Sequence, residues 1–473
     1  MDKPSRQFHV RIQKALNDPQ IRANFRRAMD GLMSKRAQMF PDPEELEQLR
    51  DLGAAVRRNA LARLPELLEQ LEARCTANGI TVHWAESVGE ANRIVLEICR
   101  RHGAKSVIKG KSMVSEEMEL NHYLGGFGIE ALEADLGEYI VQLAGQLPSH
   151  IVMPAIHMNT RQIAELFAEK LDGVGYIEDA EKLTAVAREI LRRKFFDADV
   201  GVSGVNFAVA ETGTLVLIEN EGNGRLTTTA PPVHVAVTGI EKVVETLEDV
   251  TPLLSLLPRS ATGQNVTTYV NMISGPRREG EHDGPREVHL VLLDNGRTRT
   301  HADPELRQTL QCIRCSACMN HCPVYARIGG HAYGTVYPGP IGEILMPQLL
   351  GCEEVGALPG ASSLCGACGE VCPVRIPIPK MLVRLRKEAV DNSGASPVKG
   401  GGAQRSFAEA ATWKGWEKVH ASPALYRLAS RTATALGRLP ALGPLKTWAS
   451  VRELPKPADK TLHQLLEERG NSR

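Results

Sequence analysis

The sequence predicts an α/β domain on a largely parallel sheet, followed by an α-helical two-cluster ferredoxin-type module and a helical tail. Short β-branched runs alternate with helical text from residue 79 onward, which marks a parallel α/β sheet. Two dense cysteine runs follow between 312 and 372, and a glycine-rich stretch at 392–404 separates them from further helical text. At 473 residues the chain is too long for one core and implies two or three domains.

Residues 1–78 lack strand signals. After a break at Pro41-Asp42-Pro43 they carry Leu61, Leu64, Leu67, Leu68 and Leu71 at helical spacing, so they read as a helical N-terminal arm. The α/β domain spans 79–299. Its first half alternates Ile80 to Trp84, a helix from Ala91 to Arg101, Ser106 to Lys109, a helix near Glu116 to Tyr123, and an expected strand at Ile151-Val152-Met153. Its second half is richer in strands: Val202 to Ala210, Thr214 to Glu219, His234 to Thr238, Val266 to Ile273 and Val288 to Leu293. The cysteine module occupies 300–391. The glycines of 392–404 suggest a flexible linker, and 405–473 is the helical tail.

Cys312-x2-Cys315-x2-Cys318-x3-Cys322-Pro323 is followed by Cys365-x2-Cys368-x3-Cys372-Pro373. In a two-cluster iron-sulfur module, three thiolates two residues apart wrap one cubane, while the fourth, followed by proline, ligates the other cluster. On that crossed scheme Cys312, Cys315 and Cys318 share a 4Fe-4S cluster with Cys372, and Cys322 joins Cys365 and Cys368 on a second. Zinc ribbons and disulfide frameworks are the competing readings. Zinc sites usually pair two C-x2-C units and rarely use a four-cysteine run closed by Cys-Pro. Cys75 and Cys99 lie in apolar helical text and read as small buried hydrophobes.

Composition bounds the rest. Fifty-six bases balance fifty-six acids, so no global charge steers the chain to nucleic acid. Met1-Asp2-Lys3-Pro4 opens no signal peptide and no apolar run approaches eighteen residues, which points to the cytoplasm. Gly125-Gly126-Phe127-Gly128 and Gly222-Asn223-Gly224 fit neither a dinucleotide fingerprint nor a Walker lysine pattern and read as tight turns. Lys109-Gly110-Lys111-Ser112 could hold a carboxylate or phosphate, although lysines at a strand end are commonly solvated. Glu211 to Thr214 and Glu219 to Arg225 put polar groups at both ends of one strand, where open α/β sheets bind ligands. His321 and His331 are read as hydrogen-bonding backbone carbonyls near the clusters. No catalytic set is identified.

Beyond the cysteines, Lys111-Ser112-Met113, Glu138-Tyr139-Ile140, Glu211-Thr212-Gly213-Thr214, Asn223-Gly224-Arg225-Leu226, Ser260 to Gln264, Leu292 to Arg297, Cys312 through Gly334 and Ala361 to Cys368 carry a likeness over nearly the whole chain. In them the sequence resembles the lactate utilization protein B family of bacterial iron-sulfur proteins. The resemblance implies a lactate-utilization domain of the sugar-isomerase and CoA-transferase-like fold, then a module with two 4Fe-4S clusters. It also implies an electron-carrying role in a three-protein system that oxidises L-lactate to pyruvate. The seven family cysteines map onto Cys312, Cys315, Cys318, Cys322, Cys365, Cys368 and Cys372, one short of eight; Cys352 is either a candidate for the last or a free core cysteine outside the site. The implied partners are the other subunits of that system and an electron acceptor the sequence does not identify. The rival readings are an α/β domain that itself oxidises lactate, and a ligand-sensing or assembly protein with structural clusters. Finally, Lys399, Arg405, Lys414, Lys418, Arg427, Arg431, Arg438 and Lys446 outnumber Glu409 and Glu417, and Trp413, Trp416 and Trp448 lie among them. Such a tail suits docking on an acidic partner or peripheral contact with the inner membrane face; the alternative is a helix packed back on the cluster module with its bases in solvent.

Overall fold

The computed structural model describes residues 4–391, 393–436 and 458–470. Its strands are β1 (Ile80–Ala85), β2 (Ser106–Lys109), β3 (Glu130–Glu133), β4 (Val200–Ser203), β5 (Phe207–Val209), β6 (Thr214–Glu219), β7 (Val233–Gly239), β8 (Val243–Val244), β9 (Tyr269–Ile273) and β10 (Glu287–Leu293). Six of them form a sheet in the order β1-β10-β7-β4-β2-β3, parallel throughout. The other four form a mixed sheet in the order β8-β5-β6-β9, antiparallel at β5/β6 and β6/β9.

The strand sequences explain the layering. In β10, Val291 and Leu293 face one core while Val288, Leu290 and Leu292 face another, so both sides of the strand are covered and the run is almost wholly apolar. Helix Val88–Arg101 covers the first face with Val95, Leu96, Ile98 and Cys99. Its start is fixed by Ser87, whose side chain accepts the Glu90 N–H.

The N-terminal helices Pro4–Leu16, Pro19–Met39, Pro43–Ala62 and Leu64–Ala77 are woven into the body. Leu67, Leu71 and Cys75 pack between the two sheets, and Phe25 meets Tyr325 of the cysteine module edge-on at 5.5 Å between ring centroids. The Pro-Asp-Pro break is a helix start: the Asp42 side chain caps the Glu44 and Glu45 N–H groups ahead of Pro43 at the first turn. The described residues up to Gln404 and those from Arg405 onward form two compact units.

Three local expectations are corrected. Ile151-Val152-Met153 forms no strand, because the His150 ring accepts the N–H groups of Val152 and Met153, both at 3.0 Å, and folds them into a turn. The run from Val202 to Ala210 is two strands, since the chain leaves the parallel sheet at Gly204 and joins the other, where Asn206 donates to Val216 and its side chain accepts from Ile218. The helix near Glu116 to Tyr123 breaks at Glu119, whose φ is 51°. Around the glycine-rich stretch, Gly402 and Gln404 N–H groups bond to Glu388 and Ala389 carbonyls at 2.9 Å, and Lys399 O accepts from Cys352 at 2.8 Å, so the segment is fastened to the module. Gly400 and Gly402 supply the positive φ values this path needs.

Buried histidines give this unit a pH signature. Burial pushes His150 and His157 down to about 4 and His234 down to about 3. The His150 Nδ1 accepts two N–H groups, so Nε2 carries the proton and donates to Asn320 Oδ1 at 2.9 Å. All three stay neutral in the fold, while the unfolded chain takes up protons below its ordinary histidine value near 6.5. Stability is therefore full above about 6.5 and falls as pH drops toward about 4. Each histidine costs roughly 1 kcal/mol by pH 5.5. In anaerobic urea unfolding, wild type should lose more stability between pH 7.5 and 5.5 than His234→Gln; an equal loss in both would contradict the assignment.

Candidate metal centre and adjoining cavity

Each cysteine loop follows a short 3-10 helix and bends through left-handed residues. After Leu306–Gln311 the chain places Cys312, then Arg314 at φ 62° and Ser316 at φ 63°, before helix Ala317–Asn320. Such conformations are costly for residues with a Cβ, and four of the six non-glycine positive-φ residues among those described (Arg314, Ser316, Leu364, Arg375) fall in these two loops. The bends turn backbone N–H groups onto sulfur: Arg314 to Cys312 Sγ at 3.4 Å, Tyr325 to Cys322 Sγ at 3.4 Å and Ile376 to Cys372 Sγ at 3.3 Å. Donors of this kind stabilise thiolates.

Mutual electrostatics sort the seven thiols into two sets. Cys315 and Cys318 each feel Cys312 and Cys372, whereas Cys322 and Cys368 each feel Cys365. Cys318 also feels Cys368, so the sets are neighbours. Burial pushes Cys315, Cys322 and Cys368 up to about 12 and Cys372 to about 11. Metal binding would displace the protons these thiols otherwise hold. A single tetrahedral zinc needs sulfurs within about 4 Å of one another, given Zn–S near 2.3 Å. Among the described residues the group of three or more ligand side chains within 4.8 Å of each other is His102, Glu287 and His289, with no three of these cysteines that close. Seven thiols in two sets spaced too widely for single ions fit cubanes.

The first set is ringed by basic side chains, among which burial and then the neighbouring Arg314 push Lys242 down to about 7. Lys242 donates to Cys312 O at 3.0 Å, Arg50 to Cys372 O at 3.0 Å and Arg36 to Val371 O at 3.4 Å. Arg57 donates to the carbonyls of Val243 at 2.8 Å, Leu310 at 3.1 Å, Gln311 at 3.4 Å and Glu241. Arg314 lies 4.7 Å over the Tyr337 ring and pairs with Glu241 at 3.4 Å. Burial alone would push the Glu241 carboxyl up, but Arg297, Lys242 and Arg314 outweigh it and hold it at about 2. Beside the second set stands Glu343, raised to about 8 by burial and bonded to the Tyr333 hydroxyl at 3.3 Å. Cys365 is the exposed member.

A cavity of about 300 Å³ opens at the carboxyl ends of β2 and β4, lined in part by Lys111, Asp135, Asn206, Glu219, Lys242 and Arg314. Ligands of open α/β sheets bind in this position. Lys111 is held by Asp135 at 3.0 Å and Val152 O at 3.1 Å. Lys242 and Arg314 belong both to the cavity and to the first thiol set.

Other sequence candidates fall differently. Lys109 is wholly buried against Glu133 at 2.7 Å and Glu116, not solvated. Of the two ends of β6 only the later one reaches the cavity, through Glu219, Asn220, Glu221, Asn223 and Gly224; Gly213 sits against the Arg74 backbone, where a Cβ would come within 2.8 Å. Gly222-Asn223-Gly224 starts a helix whose N–H groups at Gly224 and Arg225 already bind the Glu219 carboxylate, both at 2.6 Å, which leaves that turn to an anion of its own chain. Gly125 to Gly128 closes a helix as a turn. His321 and His331 bond to the carbonyls of Ala317 at 2.9 Å and Leu147 at 2.6 Å, as read from sequence. Cys352 is buried at the start of helix Cys352–Val355, and the charge it feels is Glu388. Cys75 and Cys99 are buried. Arg50, Arg57, Lys242 and Tyr337 were not legible as site residues, because their sequence neighbours carry no motif. Arg314, inside a Cys-x2-Cys unit, was the one with a signal.

In the tail, helices Phe407–Ala421 and Pro423–Leu436 bury no residue; Phe407 is 91 % exposed and Trp413 60 %. Arg438, Lys446 and Trp448 lie outside the described residues. No helix among the described residues is long and apolar enough to cross a membrane.

Residues 68–293 match the LUD domain, 308–376 the 4Fe-4S dicluster domain, and 384–471 the family described as lactate utilisation protein B, C-terminal. Proteins named lactate utilization protein B are similar along nearly their whole length. That of Bacillus cytotoxicus is 41 % identical over 98 % of this chain and 97 % of its own. Those of Bacillus pumilus and Anoxybacillus flavithermus are 42 % and 41 % identical, each over 98 % of this chain and 97 % and 98 % of their own. A crystal structure of a DUF162 family protein from Deinococcus radiodurans covers 49 % of this chain and 98 % of its own at 16 % identity, with a TM-score of 0.29.

Proposed function

This chain belongs to the lactate utilization protein B family, and from that membership we propose that it is the electron-transfer subunit of a system oxidising L-lactate to pyruvate. It would hold two 4Fe-4S clusters, one on Cys312, Cys315, Cys318 and Cys372 and one on Cys322, Cys365 and Cys368. The observation that carries the reading is that the two cysteine loops face each other, helix Ala317–Asn320 packed against helix Ala367–Glu370, within a stretch that matches the 4Fe-4S dicluster domain. When bound, such clusters accept and release single electrons. The protein's part is to keep the thiols out of water, donate N–H groups to sulfur, and place Lys242, Arg50, Arg57 and Arg314 where added negative charge is stabilised. Lactate yields two electrons and two protons on becoming pyruvate. No flavin or nicotinamide fingerprint stands in this sequence, so a partner subunit would supply the two-electron chemistry.

A second reading, that the α/β domain itself oxidises lactate, is favoured by the cavity that shares Lys242 and Arg314 with the first thiol set. One anaerobic experiment separates the two. The reconstituted full chain should contain about eight irons and eight sulfides. Dithionite should bleach it and generate EPR signals, while L-lactate alone should leave it oxidised. Bleaching by lactate alone would favour the second reading, and fewer than five irons would sink the first.

We also assign the tail a docking role on partner subunits or an anionic membrane face, supported by exposed Phe407, Trp413 and Trp416 beside Lys414 and Lys418. Full-length protein carrying Trp413→Ala and Trp416→Ala should keep its iron yet lose at least severalfold in co-purification with its partners or flotation with anionic vesicles. Unchanged behaviour in both assays would exclude the docking role.

A further inference from the structure

The two cysteine loops are copies of one fold, and the copy identifies the missing ligand. Moving fifty residues along the chain superposes Cys315 on Cys365, Cys318 on Cys368, Cys322 on Cys372 and Pro323 on Pro373. The backbone repeats with the same offset. Arg314 and Leu364 are left-handed at φ 62° and 56°, and Ser316 and Gly366 at φ 63° and 93°. Helices Ala317–Asn320 and Ala367–Glu370 follow, and the turn bonds Met319 to Ser316 and Cys322 to Met319 recur as Gly369 to Gly366 and Cys372 to Gly369. Each loop is entered from a 3-10 helix, Leu306–Gln311 capped by Cys312 and Leu358–Ala361 capped by Ser362.

Ser362 therefore stands where Cys312 stands. The Arg314 N–H reaches Cys312 Sγ at 3.4 Å, and the Leu364 N–H reaches Ser362 Oγ at 3.1 Å, the shorter distance suiting the smaller oxygen. Both loop entries are clamped by arginine: Arg57 holds the Leu310 and Gln311 carbonyls, and Arg386 holds those of Pro359 at 2.8 Å and Ser362 at 2.9 Å. Cys352, ten residues before Ser362, lies outside this repeat, is buried in a separate short helix and is tied to Lys399.

We infer that Ser362 is the eighth protein ligand, its Oγ binding the fourth iron of the cluster held by Cys322, Cys365 and Cys368. This inference rests on the two-cluster reading above. The Fe–Oγ bond forms as the hydroxyl O–H breaks, and the proton passes to solvent, which reaches this half-buried loop. No electron moves in that step. Oxygen is a harder donor than sulfur and favours ferric iron, so the alkoxide sets the potential of this centre below that of its all-cysteine counterpart.

The test uses the full chain, reconstituted anaerobically with iron-57 and read by metal analysis, EPR and Mössbauer spectroscopy. Wild type should hold about eight irons. Ser362→Ala should lose about one iron per chain and show the oxidised signal of a three-iron centre, with the spectrum of the other cluster unchanged. Ser362→Cys should keep all the iron and raise the midpoint potential of the second centre, and Cys352→Ala should match wild type. Full iron and an unshifted second centre in Ser362→Ala would overturn the assignment, as would iron loss in Cys352→Ala instead. A wild type with about four irons or none would overturn the two-cluster reading and this inference with it.

Discussion

The crossed ligation proposed for the metal centre sets the constraint on which the structure around it depends: a thiol at the end of the second loop, Cys372, would have to reach the set formed by Cys312, Cys315 and Cys318, while Cys322 would have to reach the set of the second loop. Two segments fifty residues apart then have to be held face to face. The N-terminal helices do so from outside. Arg50 grips the Cys372 and Gly369 carbonyls, Arg375 pairs with Glu47 at 2.7 Å and Asp51 at 2.6 Å, and Phe25 packs on Tyr325. Removing an arginine that serves several buried carbonyls leaves each unsatisfied at about 1–3 kcal/mol. The helices read from sequence as an N-terminal arm thus form part of the mould for the cysteine loops.

The same constraint ties the module to the α/β domain. Arg57, in the third N-terminal helix, bonds simultaneously to β8, to the turn before it and to the 3-10 helix that leads into Cys312. Behind it runs a buried chain of charge: Glu241 to Arg297 at 2.7 Å, Arg297 to Glu117 at 2.9 Å, and Tyr337 to Glu117 at 3.1 Å. Breaking any member would strand a buried charge. The cavity wall and the first thiol set accordingly share a fixed electrostatic frame, and a negatively charged occupant of the cavity and added electron density on the sulfur set would compete for Lys242 and Arg314.

Much of this was legible in the sequence, and the exceptions have physical reasons. Strands β2, β6, β7 and β10 announced themselves because both their faces are buried and their residues are β-branched or aliphatic. β3 and β8 did not: one reads Glu-Ala-Leu-Glu and the other is two residues long, so neither carries a period. Ile151 to Met153 carried a strand signal that a histidine side chain overrode by taking its N–H groups. The cysteines were legible because the 4Fe-4S dicluster pattern they match has fixed spacing. Lys242 and Arg57 were not, since a cation that binds backbone carbonyls across the fold imposes no local pattern. Ser362 had a signal in the register of the second run, but only the repeated backbone gives that register meaning.

The crossed arrangement is tested most directly by Cys372→Ser in the full chain, reconstituted anaerobically and examined by EPR with iron analysis. The account predicts damage to the centre held by Cys312, Cys315 and Cys318, with the centre of Cys322, Cys365 and Cys368 retaining its signal. Loss confined to the centre of Cys365 and Cys368 would contradict it.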